Sequence, residues 1–369
     1  MAEGLVRCLL IMKTVAVRKP FRQKRSSQQE GLTVTQELRL NNPWFVAVWP
    51  GMGHVAVSAG FYLISKLGMH LHQEVSPEGL FDIDRIEVVD GIIQPTEMPR
   101  NRYFVYRDPN GKRDGVVFIG EAQPSAGKYA FCTEIIKYAK ELGATEIITF
   151  AAMASHMRPE HKSRVFAAAT DEVTLDSFIQ LEAEVLKDGN ISGLNGVLLG
   201  AAAANQLHGS CFLGEMPSIF HQFPYPKASL NVLRIFCQSV GLTLDTEELE
   251  EQAKTMDEQL SKWLRRLERS MQQREGEATT DDSALGEESE QPEQVEEEYE
   301  SGRVSGMGES NLLSSQDQER IEVLFEAASS DRSKAYELKR ELDRLQVFKQ
   351  YENRFLDLFR QPPPMDSAA

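Results

Sequence analysis

From Trp44 to about Gly241 the apolar residues switch repeatedly between a spacing of two and a spacing of three or four. Trp44–Trp49 (WFVAVW) is apolar on both faces, as the central strand of a covered sheet is. From His54 to Leu67 the residues Val55, Ala59, Tyr62, Leu63 and Leu67 fall on one helical stripe, which Gly68 ends. Ile86–Val89 and Tyr103–Arg107 read as strands, and the second turns through Asp108-Pro-Asn-Gly111 into Val116–Ile119 as a hairpin. Tyr129–Leu142 is an amphipathic helix closed by Gly143, and Glu146–Phe150 a buried strand. Arg164–Ala168 predicts a strand, Val173–Leu186 a helix, Ser210–Leu213 a short strand and Ala228–Val240 a helix ending at Gly241. This alternation predicts an α/β domain over residues 41–244, and the hairpin makes its sheet mixed rather than parallel throughout.

Beyond Asp245 the spacing changes. Leu249, Ala253, Met256, Leu260, Trp263, Leu267 and Met271 step by fours and threes, a near-heptad seam that predicts a helix over 245–273. Leu338, Leu342, Leu345, Phe348, Tyr351, Phe355 and Leu358 repeat the spacing within a helical segment at 317–361. Two such seams on a long connection can close on each other as an antiparallel pair, or each can bind another subunit. The stretch between them, 274–316, is rich in Glu, Ser, Gly and Gln; it lacks the apolar surface to offset ordering entropy and is expected to be a disordered linker. Residues 362–369 form a proline-led tail.

Charge refines the picture. The 369 residues carry a formal −16, but residues 271–300 hold twelve Asp/Glu and one Arg, so the remainder is only mildly acidic. That balance argues against nucleic acid as a partner. Residues 1–40 form a basic leader expected to be flexible, with Arg18, Lys19, Arg22, Lys24 and Arg25 in it. No run of eighteen apolar residues is present, so no membrane span is expected and a cytoplasmic location follows. The four cysteines (Cys8, Cys132, Cys211, Cys237) have no CxxC or CxxH spacing and read as free thiols in a reducing compartment.

The stretch WPGMGHVA after the first strand imitates a dinucleotide-binding turn, with Gly51-x-Gly53-x-x-Ala56 and Glu74 downstream. Trp49 and Pro50 intervene between strand and first glycine, and proline removes an N–H that a pyrophosphate nest uses. A tight strand-to-helix turn packed against a close neighbour accounts for the glycines without a cofactor. His54 at the helix start is placed to donate to an anion, or simply to cap a surface turn. His156 and His161, with Glu160 between them, invite a metal reading, but no third ligand has metal-like spacing and Pro159 breaks the helix that would align them, so no metal site is expected. No Gly-x-Ser-x-Gly elbow or Walker sequence appears, no catalytic residue is assigned and no cofactor is expected.

The stretch WFVAVWPGMGHVAVSAGFYLISKLGM resembles the opening motif of the proteasome assembly chaperone family, of its second-subunit type and its archaeal and bacterial members. VVFIGEAQPS, KYAKELGATEIITFAAMA, and CFLGEMP with YPKASLNVLRIF are similar to later family segments, in the same order, over about Trp44 to Leu260. The resemblance implies a three-layer α/β/α sandwich of the nucleoside phosphorylase type, here with a C-terminal helical extension. It also implies self-association, for instance as a trimer, or pairing with a related subunit. Members that dock on the proteasome end in a hydrophobic–Tyr–any residue tail, whereas this sequence ends Met365-Asp-Ser-Ala-Ala369, which argues against docking by that route.

Two functional readings therefore stand. One is a non-enzymatic, assembly-chaperone-like scaffold. The other is a small-molecule-binding domain or enzyme on a phosphorylase-like or ATP-dependent ligase-like fold. The second needs a cleft at the carboxyl ends of the strands, where Gly51, Gly53, His54, Glu121, Gln123, Ser125, Lys128 and Arg158 come together. Convergence of Glu121, Gln123, His54 and Arg158 in one pocket favours the enzyme; scatter favours the scaffold.

Overall fold

The computed structural model describes residues 38–75, 79–81, 86, 88–89, 91–93, 98–278, 313–345 and 347–360. The expectations for the leader, most of the acidic linker, Cys8 and the proline-led tail lie outside the described residues. Strand β1 (Trp44–Val48) is buried along its whole length. A short 3₁₀ turn, Met52–His54, leads from it into α1 (Val55–Lys66). An edge strand follows, β2 (His70–Val75), and then a separate two-stranded ribbon of β3 (Val88–Val89) and β4 (Ile92–Ile93). The expected Ile86–Val89 strand thus belongs to an exposed hairpin outside the main sheet.

The next elements are β5 (Asn101–Tyr106), β6 (Gly115–Gly120), α2 (Lys128–Glu141), β7 (Glu146–Ser155) and β8 (Val165–Ala169). After β8 comes α3, which covers only Glu172–Ser177 and is capped by the Asp171 carboxylate accepting from the Thr174 N–H. A 3₁₀ turn then leads to β9 (Glu184–Val185), so the helix expected over Val173–Leu186 stops halfway. It stops because Phe178 is drawn into the core against Phe212 and the chain returns to pair with β8. Then follow α4 (Gly193–Ala204), β10 (His208–Pro217) and α5 (Pro226–Val240).

The sheet runs β2-β5-β6-β1-β7-β10-β8-β9, with β1 in the middle. β1 is parallel to β6 and β7, and β10 is parallel to β7, whereas β5 and β8 run antiparallel to their inner neighbours. The order explains the two-sided apolar run: a strand with a neighbour on each edge and helices on both faces meets no water. Side chains alternate between the faces. Trp44 stacks edge-on against Phe236 of α5 on one, while Phe45 meets Tyr103, and Phe118 meets Phe131 of α2, on the other. With α1 beside α5 and α2 beside α4, the architecture is the expected mixed-sheet α/β/α sandwich.

The C-terminal helices do not form the antiparallel pair that is one of the two readings of the seams. Helix α6 (Glu247–Ala278) lies along α5 and buries Leu249, Ala253, Leu260 and Leu264. Trp263, assigned to the seam, is instead 48% exposed, one position round the helix from the buried Leu264. The second seam is not one helix. It is divided among α7 (Ser315–Ser330), α8 (Ala335–Arg344) and α9 (Phe348–Asp357). These pack on α1: Phe61 meets Phe348 and Phe355 edge-on, and Tyr62 meets Tyr336. The two seams touch where the Tyr336 hydroxyl donates to Gln252, but each covers the α/β core rather than the other. Phe359, just past α9, accepts from the Leu71 N–H at 2.6 Å and so closes part of the β2 edge.

Candidate functional site

The glycine turn is a packing device. Gly53 has φ 61°, and a Cβ there would lie 2.7 Å from Met216 Sδ and 3.3 Å from Tyr225 Cβ. Its N–H donates to the His221 carbonyl and its own carbonyl accepts from the Tyr225 N–H, so the turn is stitched to the loop after β10. The close approach that accounts for a glycine without a cofactor is present at Gly53. Gly51 is extended (φ −165°), and nothing lies within 4 Å of a Cβ built there. No steric reason for glycine therefore exists at Gly51. His54 holds a left-handed φ of 51° and makes no side-chain cap. Partial burial, with the Lys339 ammonium nearby, holds its imidazole below the usual 6.5.

The other candidates are held by different elements. Glu121 accepts from the Arg100 backbone N–H at 3.0 Å and from the Arg102 guanidinium, and so faces β5. Gln123 accepts from the Leu194 N–H at 3.1 Å, which binds it to the first turn of α4 on the α2/α4 side. Ser125 and Lys128 are exposed at the start of α2. Arg158 forms a two-pronged pair with Glu268 of α6, at 2.7 and 3.2 Å. That pairing pushes its guanidinium further up. Of the four residues whose convergence would favour an enzyme, Glu121, Gln123 and Arg158 thus face β5, α4 and α6. Among the described residues no group of three His, Cys, Asp or Glu is placed to hold a metal.

Several well-built polar centres have no counterpart in the sequence reading. Arg102 is a hub: its Nε donates to Glu74 at 2.8 Å, one terminal nitrogen to Glu121, and the other to Asn353 of α9 at 2.8 Å. It ties the C-terminal helices to the rim of the sheet. Lys227 pairs with Asp257 at 2.7 Å and donates to the carbonyls of Pro159 and His161. Burial raises the Asp257 carboxyl although Lys227 pulls it the other way. Arg164 holds Glu215, which is 3% exposed, and keeps its carboxyl below the usual range. No local spacing marks these residues, because their partners lie 28, 19 and 251 positions from Arg102 and 51 from Arg164.

The same end of the molecule carries apolar side chains that water touches. Ile219, Phe223 and Trp263 are 47–48% exposed and Met52 is 45% exposed. Phe220, Phe223 and Trp263 form a continuous aromatic group with ring centroids 5.6–6.5 Å apart. The hydrogen bond from Gly53 to His221 ties the turn that carries Met52 to the loop that carries Phe220 and Phe223. Exposed aromatics grouped in this way mark protein-contact surfaces more often than catalytic ones.

Comparison with known proteins gives a consistent result. The PAC2 family model matches residues 45–264. An uncharacterized protein of Methanocaldococcus jannaschii is 27% identical over 237 residues, covering 63% of this chain and 86% of its own. The solved structure of Pyrococcus furiosus PbaB, described as an archaeal proteasome activator, is 25% identical with a TM-score of 0.52, covering 62% of this chain and 94% of that one. The Mycobacterium tuberculosis proteasome-assembly chaperone homologue Rv2125 shares the fold at 21% identity and a TM-score of 0.53, covering 59% and 94%. Helices α7–α9 lie outside the matched range.

Proposed function

Because the chain belongs to the PAC2 family, we propose that it is a non-enzymatic, assembly-chaperone-like scaffold that self-associates, or pairs with a related subunit, through its α/β core. The observation that carries this reading is the fate of the rim at the carboxyl ends of the strands. Glu121, Gln123 and Arg158 are bound into the frame facing three different ways, while Met52, Ile219, Phe223 and Trp263 are left to solvent. A site that acts on a small molecule gathers polar groups in an enclosed pocket. A site that acts on a protein presents an aromatic patch with a charged border, and Arg158, Glu160, Arg265 and Glu268 supply such a border here. The likeness to PbaB, itself called a proteasome activator, supports the same class of role.

Light scattering on the purified full chain, with native co-purification and mass spectrometry, tests the proposal. A mass that is a multiple of 41.5 kDa, or a co-purifying related subunit, is expected. The double change Phe223→Ser and Trp263→Ser should weaken that association. A chain that stays monomeric at tens of micromolar and brings down no protein overturns the reading, and micromolar binding of ATP or NAD by calorimetry restores the small-molecule one.

A further inference from the structure

Helix α6 and the loop at 159–163 leave between them a trough of about 650 Å³, floored by Leu230 of α5 and Ala253. None of the candidate site residues lines it. Its walls are fixed in advance: Asn231 donates to the Ser163 carbonyl at 2.8 Å, the Ser163 hydroxyl to the Glu215 carbonyl at 2.7 Å, and Lys227 bridges the loop to α6. A trough already rigid loses little entropy when something binds in it.

The charges in the trough divide unevenly. Lys227–Asp257, Arg234–Glu250 and Arg265–Glu160 cancel within it, at 2.7, 2.6 and 3.3 Å. Lys254 and Lys262 have no ion-pair partner among the described residues, and Lys162 has only a loose, fully solvated one in Glu182 at 3.8 Å. Against these three ammonium groups stands one carboxylate, Glu258, on a chain whose formal charge is −16. A net positive trough on an acidic protein selects an acidic ligand.

Spacing narrows the ligand further. Lys254, Glu258 and Lys262 follow one another at four-residue steps on one stripe of α6, so the two lysines stand about 12 Å apart along the axis. An extended peptide covers that distance in about four residues. We propose that this trough binds an extended acidic segment of a partner protein, with two carboxylates four residues apart, an apolar residue over Leu230 and Ala253, and no carboxylate opposite Glu258. The proposal extends the scaffold reading by naming the chemistry of a partner; the trough shares Glu160 and Arg265 with the border of the aromatic patch, but Lys254 and Lys262, on which it turns, are not part of that border.

The test is fluorescence anisotropy with the full chain and a labelled peptide, Gly-Ser-Glu-Ala-Leu-Ala-Glu-Ser-Gly, at low ionic strength. Saturable binding is expected, with the affinity reduced about tenfold or more by Lys254→Glu with Lys262→Glu and retained by Lys254→Arg with Lys262→Arg. Replacing the central Leu of the peptide with Glu should weaken binding by setting a carboxylate on the apolar floor and near Glu258. Circular dichroism of the variants checks that they fold. Absence of binding, or equal binding to the double-Glu variant, overturns the proposal. Binding that appears only after residues 279–312 are deleted also overturns it, since the trough then belongs to this chain's own acidic stretch. Light scattering on the same samples reads self-association separately, so either idea can fail alone.

Discussion

Gly53 and Gly51 stand two positions apart in the same turn, yet the backbone asks different things of them. Gly53→Ala puts a methyl group into a left-handed backbone and against Met216 and Tyr225, and should destabilise by about 2–4 kcal/mol. Gly51→Ala meets open space in an extended backbone and should change stability by no more than about 1 kcal/mol, in either direction. Urea denaturation of the two variants compares them directly; equal losses would show that the turn is not held by the Met216 contact. A glycine pair read as one motif in the sequence thus separates into one obligatory and one permissive position. The distinction rests on residues more than 160 positions away, beyond the reach of any local pattern.

Helices α7–α9 are a lid on α1, and their removal is the sharpest test of the packing. Truncation after residue 312 uncovers Phe61 and Tyr62 of α1, both buried against Phe348, Phe355 and Tyr336. Aggregation or a lowered melting temperature is expected, and Leu342→Ala alone should cost about 2–5 kcal/mol. A truncated chain that remains soluble with an unchanged melting temperature would mean that α1 is covered from elsewhere. The elements legible in advance, β1, α1, the β5–β6 hairpin, α2 and α5, share a strong period closed by glycine or a turn. Strand β2 was not legible because His70–Val75 (HLHQEV) is a half-solvated edge whose polar residues hide the alternation. The break at Leu345 escaped because fours and threes continue across it in sequence while the helix axis does not. Of the candidate site, position along the strand ends was legible; the partners that consume Glu121, Gln123 and Arg158 were not, because only the folded chain brings them close.

At the largest scale, the folded unit that begins at Arg39 should lose stability on mild acidification. Burial lowers the imidazoles of His54, His70 and His72 from the ordinary 6.5, with Lys339, Arg107 and Arg332 assisting. A depressed folded value means that the unfolded chain binds more protons, so the stability these groups lend is complete above about pH 6.5 and is lost as pH falls through the folded values. Asp257, raised by burial, works against the trend as a single group. The melting temperature should therefore fall between pH 7.5 and 5.5, and the slope should flatten when all three histidines become Gln. An identical slope in that variant would assign the acid sensitivity elsewhere. The central place of β1 has a further consequence, for synthesis on the ribosome. Trp44 pairs with Gly115 on one side and Glu146 on the other, so this strand waits for its second neighbour while 102 residues are made. At ordinary elongation rates that is about 5–20 s during which at least one edge of an apolar ribbon hangs unpaired. Phe61 waits longer still, until α8 and α9 have left the exit tunnel. A fold whose central strand and first helix are both completed from far along the chain is thereby itself a demanding client for the folding machinery, with core surface open until α8 and α9 are made.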